Sequence, residues 1–369
     1  MIPVNAANSE SVKRGSALVE GAPVGPAERG PRPDERLGQR SIVRSVVSRP
    51  GFGALAGIVI VFLFFALGSK SFTQPGAVST WLAPSSLIGL SAVPIALLMI
   101  GGEFDLSAGV MIGSTSLVTG LLCTELHWNI WPALLVSLVF AVGIGLFNGL
   151  LVTRTGLPSF IVTLGSFFIL QGLNTGVTQL ITGNVLVTGV NLAPGFGVLQ
   201  YITGSYFTIG GVEIQISIVW WIAFTAIGAI LLSRTAVGNW IMSVGGDSAA
   251  ARGMGVPVDR VKIGLFTASS VMAWFVGAIT VSQLGTVTTN QGVGQELVFI
   301  IAAVVGGCLL TGGYGSVVGA SASALIFGMV QVGIFYKGWN STFYYAFLGA
   351  VLLAAVIANI IIRKRLEVS

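Results

Sequence analysis

The sequence predicts an all-α, polytopic transmembrane protein of about ten spans arranged in two inverted-repeat halves. Three observations predict it. Hydrophobic residues make up 54% of the 369 residues and charged residues only 8%, too few to cover the surface of a soluble domain of that length. Apolar runs of about eighteen residues or more recur along the chain, long enough to cross a hydrocarbon core of roughly 30 Å. Two of these runs, five apart, open alike, with glycines and then a carboxylate.

Residues 1–50 come first and differ from everything after them. The stretch "GAPVGPAERGPRPDERLGQR" is rich in Pro, Gly, Arg and Glu and has no apolar periodicity. It buries too little apolar surface to offset its chain entropy, so residues 1–50 are expected to form a disordered cytoplasmic tail and residues 51–369 the transmembrane domain. The first apolar run starts near Phe52 and is not followed by a small-residue cleavage site, which excludes a signal peptide. The runs then fall near 52–69, 82–100, 106–123, 130–152, 158–181, 214–232, 263–284, 296–311, 317–335 and 343–362. Glycine is abundant, at 51 residues. The pairs Gly109/Gly113, Gly145/Gly149 and Gly315/Gly319 have the small-xxx-small spacing that lets helices approach in lipid.

The positive charges orient the spans. Eight Lys and Arg precede the first run, Arg154 follows the fourth, and Arg234, Arg252, Arg260 and Lys262 lie between the sixth and seventh. Arg363, Lys364 and Arg365 follow the tenth, and with ten spans all sixteen fall on one side, leaving only Lys70 and Lys337 on the other. The positive-inside rule then puts both termini in the cytoplasm, whereas nine or eleven spans would put the C-terminal "RKR" outside.

The carboxylates carry a second pattern. Glu103 and Asp105 interrupt "LLMIGGEFDLSAGVMIG", and Glu296 opens "NQGVGQELVFIIAAVVGG". These are the third and eighth runs, an odd number apart, so the two halves are inverted relative to each other. Inverted repeats with glycine-broken helices that meet near the midplane recur in transporters. Asp105 and Glu296 are therefore candidates for a translocation pathway, or equally for caps that complement a helix dipole. Asn148, Thr163, Phe167, Asn174 and Asn359, polar or aromatic residues within runs, are further pathway candidates and could instead be interhelical hydrogen-bonding residues.

Several classes are excluded. There is no G-x-x-x-x-G-K-[ST] phosphate loop, and the loops between runs are too short for a nucleotide-binding domain. The single histidine, His127, lies in "TELHWNIW" at a boundary between runs, so neither a Ser/His/Asp nor a Cys/His set can be built. Cys123 and Cys308 are far apart without metal-ligand spacing and read as packing residues. No catalytic residue, metal, cofactor or nucleic-acid partner is expected, and membrane transport is the default. An ion-coupled secondary transporter would need buried ionisable groups. An ATP-driven importer would need a cytoplasmic surface for a separate ATPase.

The stretch "SVGGDSAAARGMGVPVDRVK", residues 243–262, puts five ionisable residues into one loop of a chain that otherwise avoids charge. Its core reads as a short helix stopped by Gly255 and Pro257. It resembles the ATPase-contacting loop of permease subunits from ribose-type ABC importers. "GGEFDLSAG" is similar to their "GGIDLSVG", and "LFNGLLVTRTGLPSFIVTLGSFFILQGL" to their "G-x-x-N-G-x-x-[VI]…P-x-F-I-V-T-L-G" segment. "GQELVFIIAAVVGGCLLTGGYGSVVGA" resembles their "G-x-E-L-x-x-I-A-A-V-x-x-G-G…G-G-x-G-S-x-x-G". These blocks lie in order over roughly residues 52–362. Glu103 departs from the first signature, where an apolar residue is usual, and Val298 stands where an Asp often follows Glu-Leu.

The resemblance implies a bacterial inner-membrane permease for a monosaccharide. It implies an ABC ATPase subunit on the cytoplasmic face, an extracytoplasmic sugar-binding protein and a second permease subunit, as a homodimer or with a similar chain. It also implies an ATPase-coupling role for Asp247, Ala249, Ala250, Ala251, Arg252 and Gly255. A permease of the same architecture for branched-chain amino acids or another small polar solute remains the alternative.

Overall fold

The computed structural model describes the backbone of residues 52–367 and the side chains of 53–354 and 357. The expected tail, residues 1–50, lies outside the described residues, as does the side chain of Asn359. Each apolar run forms one helix. The first five are α1 (Phe52–Gly68), α2 (Pro75–Ile100), α3 (Ala108–Thr124), α4 (Ile130–Thr155) and α5 (Ser159–Thr182). After a long connection come α6 (Ile216–Arg234), α7 (Ala236–Gly246), α8 (Ser248–Gly253) and α9 (Val258–Leu284), then α10 (Gln295–Val305), α11 (Val317–Tyr336) and α12 (Phe343–Glu367). Side-chain caps mark several starts: Asn129 accepts from Trp131 N at 3.0 Å before α4, and Ser316 accepts from Gly319 N at 3.0 Å before α11.

Among the described residues, six helices, α2, α4, α5, α6, α9 and α11, are long and apolar enough to cross a membrane, while α1 and α3, at 17 residues each, and α10, at 11, are shorter. The expectation of about ten spans counted apolar runs, and the eighth run shows where counting overreaches. Residues 296–311 read as one span, yet the helix stops at Val305, where Gly306 N donates to Ala302 O and Cys308 N to Ala303 O. α2 ends on its own glycine pair with the same ladder, Gly101 N to Leu97 O and Glu103 N to Leu98 O. At 1.5 Å per residue the eleven residues of α10 rise roughly 16 Å, about half a hydrocarbon core.

Burial separates centre from periphery. In α2, α11 and α9, 83%, 72% and 56% of the most apolar stretch is buried, against 33%, 28% and 22% in α4, α5 and α6. The outer helices point Leu135, Phe168 and Ile222 away from the bundle, as expected of a protein surrounded by hydrocarbon. α9 runs antiparallel to α4, since Gly145 meets Thr267 and Gly149 meets Ile263. Arg154, near the end of α4, therefore shares one end of the bundle with the start of α9.

Short strands tie the loops at the opposite end. β1 (Leu186–Val187), β2 (Tyr206–Ile209) and β3 (Val212–Gln215) lie in the α5–α6 connection, and β4 (Val287–Thr288) follows α9. β1 pairs antiparallel with β4 (Leu186↔Thr288), and β2 with β3 (Phe207↔Ile214). Cys123 and Cys308 are buried free thiols, in keeping with packing roles. His127 is exposed in the α3–α4 turn.

Candidate functional site

The loop between α2 and α3, residues 103–107, is irregular backbone inside the bundle, so its donors need partners from elsewhere. α5 supplies two of them: Phe104 N donates to Ser159 Oγ at 3.0 Å and Leu106 N to Thr163 Oγ1 at 3.1 Å. Asp105, 1% exposed, accepts from Ser107 N at 2.9 Å, Ser107 Oγ at 2.6 Å and Ser269 Oγ of α9 at 2.7 Å. Asn148 of α4 donates to Ser107 Oγ at 3.1 Å and accepts from Ser166 Oγ of α5 at 2.5 Å. Three sequence candidates, Asp105, Asn148 and Thr163, thus join one polar network that links α4, α5 and α9 to the α2–α3 loop.

Glu296 lies in the first turn of α10, buried, and its two carboxylate oxygens accept from Gly294 N at 3.1 and 3.0 Å. It faces α3 at Gly109, where an added Cβ would run into the carboxylate, Gly292 O and Glu296 N. One turn further along α3, Gly113 abuts Gln291. The segment from Gln291 to Glu296 therefore runs against the direction of α3, and the two acidic helix starts come together. Phe167 is half-buried and packs edge-on against Phe168 at 5.3 Å. Asn174 is buried, and its Nδ2 has no partner among the described residues. These two candidates stand outside the network.

A cavity of about 200 Å³ opens beside the start of α10. Its polar lining is Thr280, Gln291, Gln295 and Gln331, with Ile112 and Phe299 among the apolar walls. None of the pathway candidates read from the sequence lines it. Gln331 was a readable signal, an amide within the run of α11. Gln291 and Gln295 sit among loop glycines and carried none.

The charged segment takes in the end of α7, all of α8 and the start of α9. Asp247 caps α8 by accepting from Ala249 N at 2.9 Å and Ala250 N at 3.0 Å, and Gly255 follows at φ 85°. Ala251 is buried, whereas Ala249, Ala250 and Arg252 are exposed. Arg252 pairs with Asp259 of α9 at 2.7 Å, which braces the short helix against its neighbour. Sequence reading missed α7, whose buried Ile241 and Val244 seat it on the bundle. It also missed the ion pair between Lys262 and Glu103, at 2.5 Å with side chains 20% and 8% exposed. Nearby, Gly313 N donates to Ile100 O at 2.8 Å, and Gly102 lies against Gly245 at the end of α7.

Residues 77–356 match the family model described as branched-chain amino acid transport system / permease component. The chain is 29% identical to the fructose import permease of Rhizobium meliloti, over 86% of this chain and 87% of that one. It is 30% identical to the galactose/methyl galactoside import permease of Escherichia coli (strain K12), over 82% and 92%. It is also 30% identical to the ribose import permease of Bacillus subtilis (strain 168), over 83% and 92%. No solved structure matches it. With the family model covering most of a helical membrane chain, this protein belongs to the permease-component family of transport systems.

Proposed function

We propose that this chain is the membrane-spanning permease subunit of an ATP-driven ABC importer that translocates a monosaccharide handed to it by an extracytoplasmic binding protein. The observation that carries the reading is the similarity, over more than four-fifths of the chain, to permeases named for ribose, galactose and fructose import. ATP is hydrolysed on a separate subunit that docks on α8 through Ala249, Ala250 and Arg252. The exposed alanines and capped geometry of α8 support that role. A second permease subunit, a further copy of this chain, completes the pathway.

Both termini lie in the cytoplasm of a bacterial inner-membrane protein, which the grouping of Arg154, Arg234 and Lys262 at one end of the bundle supports. The ten apolar helices form two inverted halves, α1–α5 and α6 with α9–α12. Matching lengths support the pairing of α2 with α9, at 26 and 27 residues. The pairing of α3 with α10 brings together the two helices that start beside a buried carboxylate. The sugar passes the glutamine-lined cavity, whose amides offer both donors and acceptors to hydroxyls.

The test is uptake into proteoliposomes that contain the chain and its co-purified ATPase, with labelled ribose, xylose, galactose and fructose supplied on the matching binding protein. The reading requires uptake of at least one sugar that depends on ATP and is indifferent to proton and sodium gradients. Uptake driven by an ion gradient without the ATPase would overturn it, as would uptake of leucine and of no sugar.

A further inference from the structure

Glu103 and Lys262 are 159 positions apart, and their contact has no part in the function described so far. Glu103 lies directly after the glycines that end α2 and two residues before Asp105. Lys262 lies in the first turns of α9, just beyond the docking helix and the Gly255–Pro257 link. Their contact at 2.5 Å is largely shielded from solvent, where an ion pair is held more firmly than at a surface.

A second tether grips the same end of the loop. Gly102 lies against Gly245, and an added Cβ on Gly245 would run into Ile100 O, so α7 and the end of α2 meet backbone to backbone. The docking segment is itself held by the Asp247 cap and joined to α9 by the Arg252–Asp259 pair. Movement of α7–α9 is therefore delivered to residues 101–107, and from there to Asp105 and the start of α3. Interfaces this closely packed shift between discrete arrangements rather than bending smoothly.

We infer that the Glu103–Lys262 ion pair is the latch through which the docking segment moves the α2–α3 loop, making both residues positioning residues for coupling. The inference rests on α8 being the docking site. Its test therefore separates docking from coupling. Glu103→Gln, Lys262→Gln, the neutral pair of both, and the reversed pair of Glu103→Lys with Lys262→Glu are each purified with the ATPase that accompanies the chain from its native membrane.

Three readouts are taken: ATPase recovered per permease, ATP hydrolysis with and without sugar-loaded binding protein, and sugar moved per ATP. The single variants are expected to retain the ATPase in full and to move at least tenfold less sugar per ATP. The reversed pair is expected to recover to within about threefold of the parent. The neutral pair buries no lone charge, so it inserts normally and is still uncoupled. Sugar-to-ATP ratios like the parent's in the neutral pair, or no recovery in a fully assembled reversed pair, would overturn the latch. The docking reading fails on a different result, namely full recovery of ATPase and transport in Ala250→Glu.

Discussion

Replacing Gly109 with alanine tests whether the two acidic helix starts meet as described. The new Cβ would lie 2.6 Å from Gly292 O and 2.8 Å from Glu296 N, besides its collision with the Glu296 carboxylate. Ordinary contact begins at 3.4 Å, so two backbone atoms would have to retreat by 0.8 and 0.6 Å. Neither is the far end of a flexible side chain, and Gly292 is itself wedged against Gly109 O. Overpacking of this kind costs about 1–3 kcal/mol, and rigid backbone on both sides puts this site near about 3 kcal/mol. The assay is the midpoint of thermal unfolding of the purified protein in detergent, alongside transport in proteoliposomes. Gly165→Ala is the control, because its Cβ meets nothing within 4 Å and α5 gains a better helix former. A Gly109→Ala midpoint no lower than that of Gly165→Ala, with full transport, would refute the contact between α3 and α10.

Ala250→Glu is expected to abolish transport and ATPase recovery while membrane insertion stays normal, since a charge misplaced in a buried interface costs several kcal/mol; co-purification and immunoblotting read it. Deletion of residues 1–38 should leave transport intact, because Arg44 and Arg49 remain beside the first helix to orient it; loss of uptake at an unchanged protein level would instead point to a partner for the tail. Asp105→Asn keeps an acceptor for Ser107 N and should fold and transport in part. Asp105→Leu strips the acceptor from Ser107 N, Ser107 Oγ and Ser269 Oγ and should lower stability by about 4 kcal/mol, at about 1–3 kcal/mol per stranded donor. Equal thermal midpoints for the Asn and Leu variants would exclude a hydrogen-bonding role for the carboxylate.

Much of the architecture was legible because a lipid-facing helix must announce itself in composition. The ten runs mark ten helices, and Asp105 and Glu296 stood out as charges in apolar sequence. The glycines after Val305 were visible too, but a run-length reading passes over them, which is why α10 looked full-length. α7 stayed hidden because a helix that lies on the bundle needs only a few buried residues, here Ile241 and Val244. The partners of the site were beyond sequence reading for a plainer reason. Asp105 meets Ser269 across 164 positions, and a serine within a span carries no mark of what it will bond.

Several polar residues within the spans bond to the irregular backbone between α2 and α3. Thr163 and Ser159 accept from the backbone of Leu106 and Phe104, and Asn148 holds Ser107, which in turn donates to Asp105. Each satisfies irregular backbone, or a side chain that supports it, at a depth where water does not reach. A bundle that starts α3 and α10 in its interior must supply such partners, or the short helices could not persist there. Gln331, which lines the cavity beside α10, takes no part in that network. The residues that hold the α2–α3 break, Asp105, Asn148 and Thr163 among them, are thus distinct from those that line the cavity.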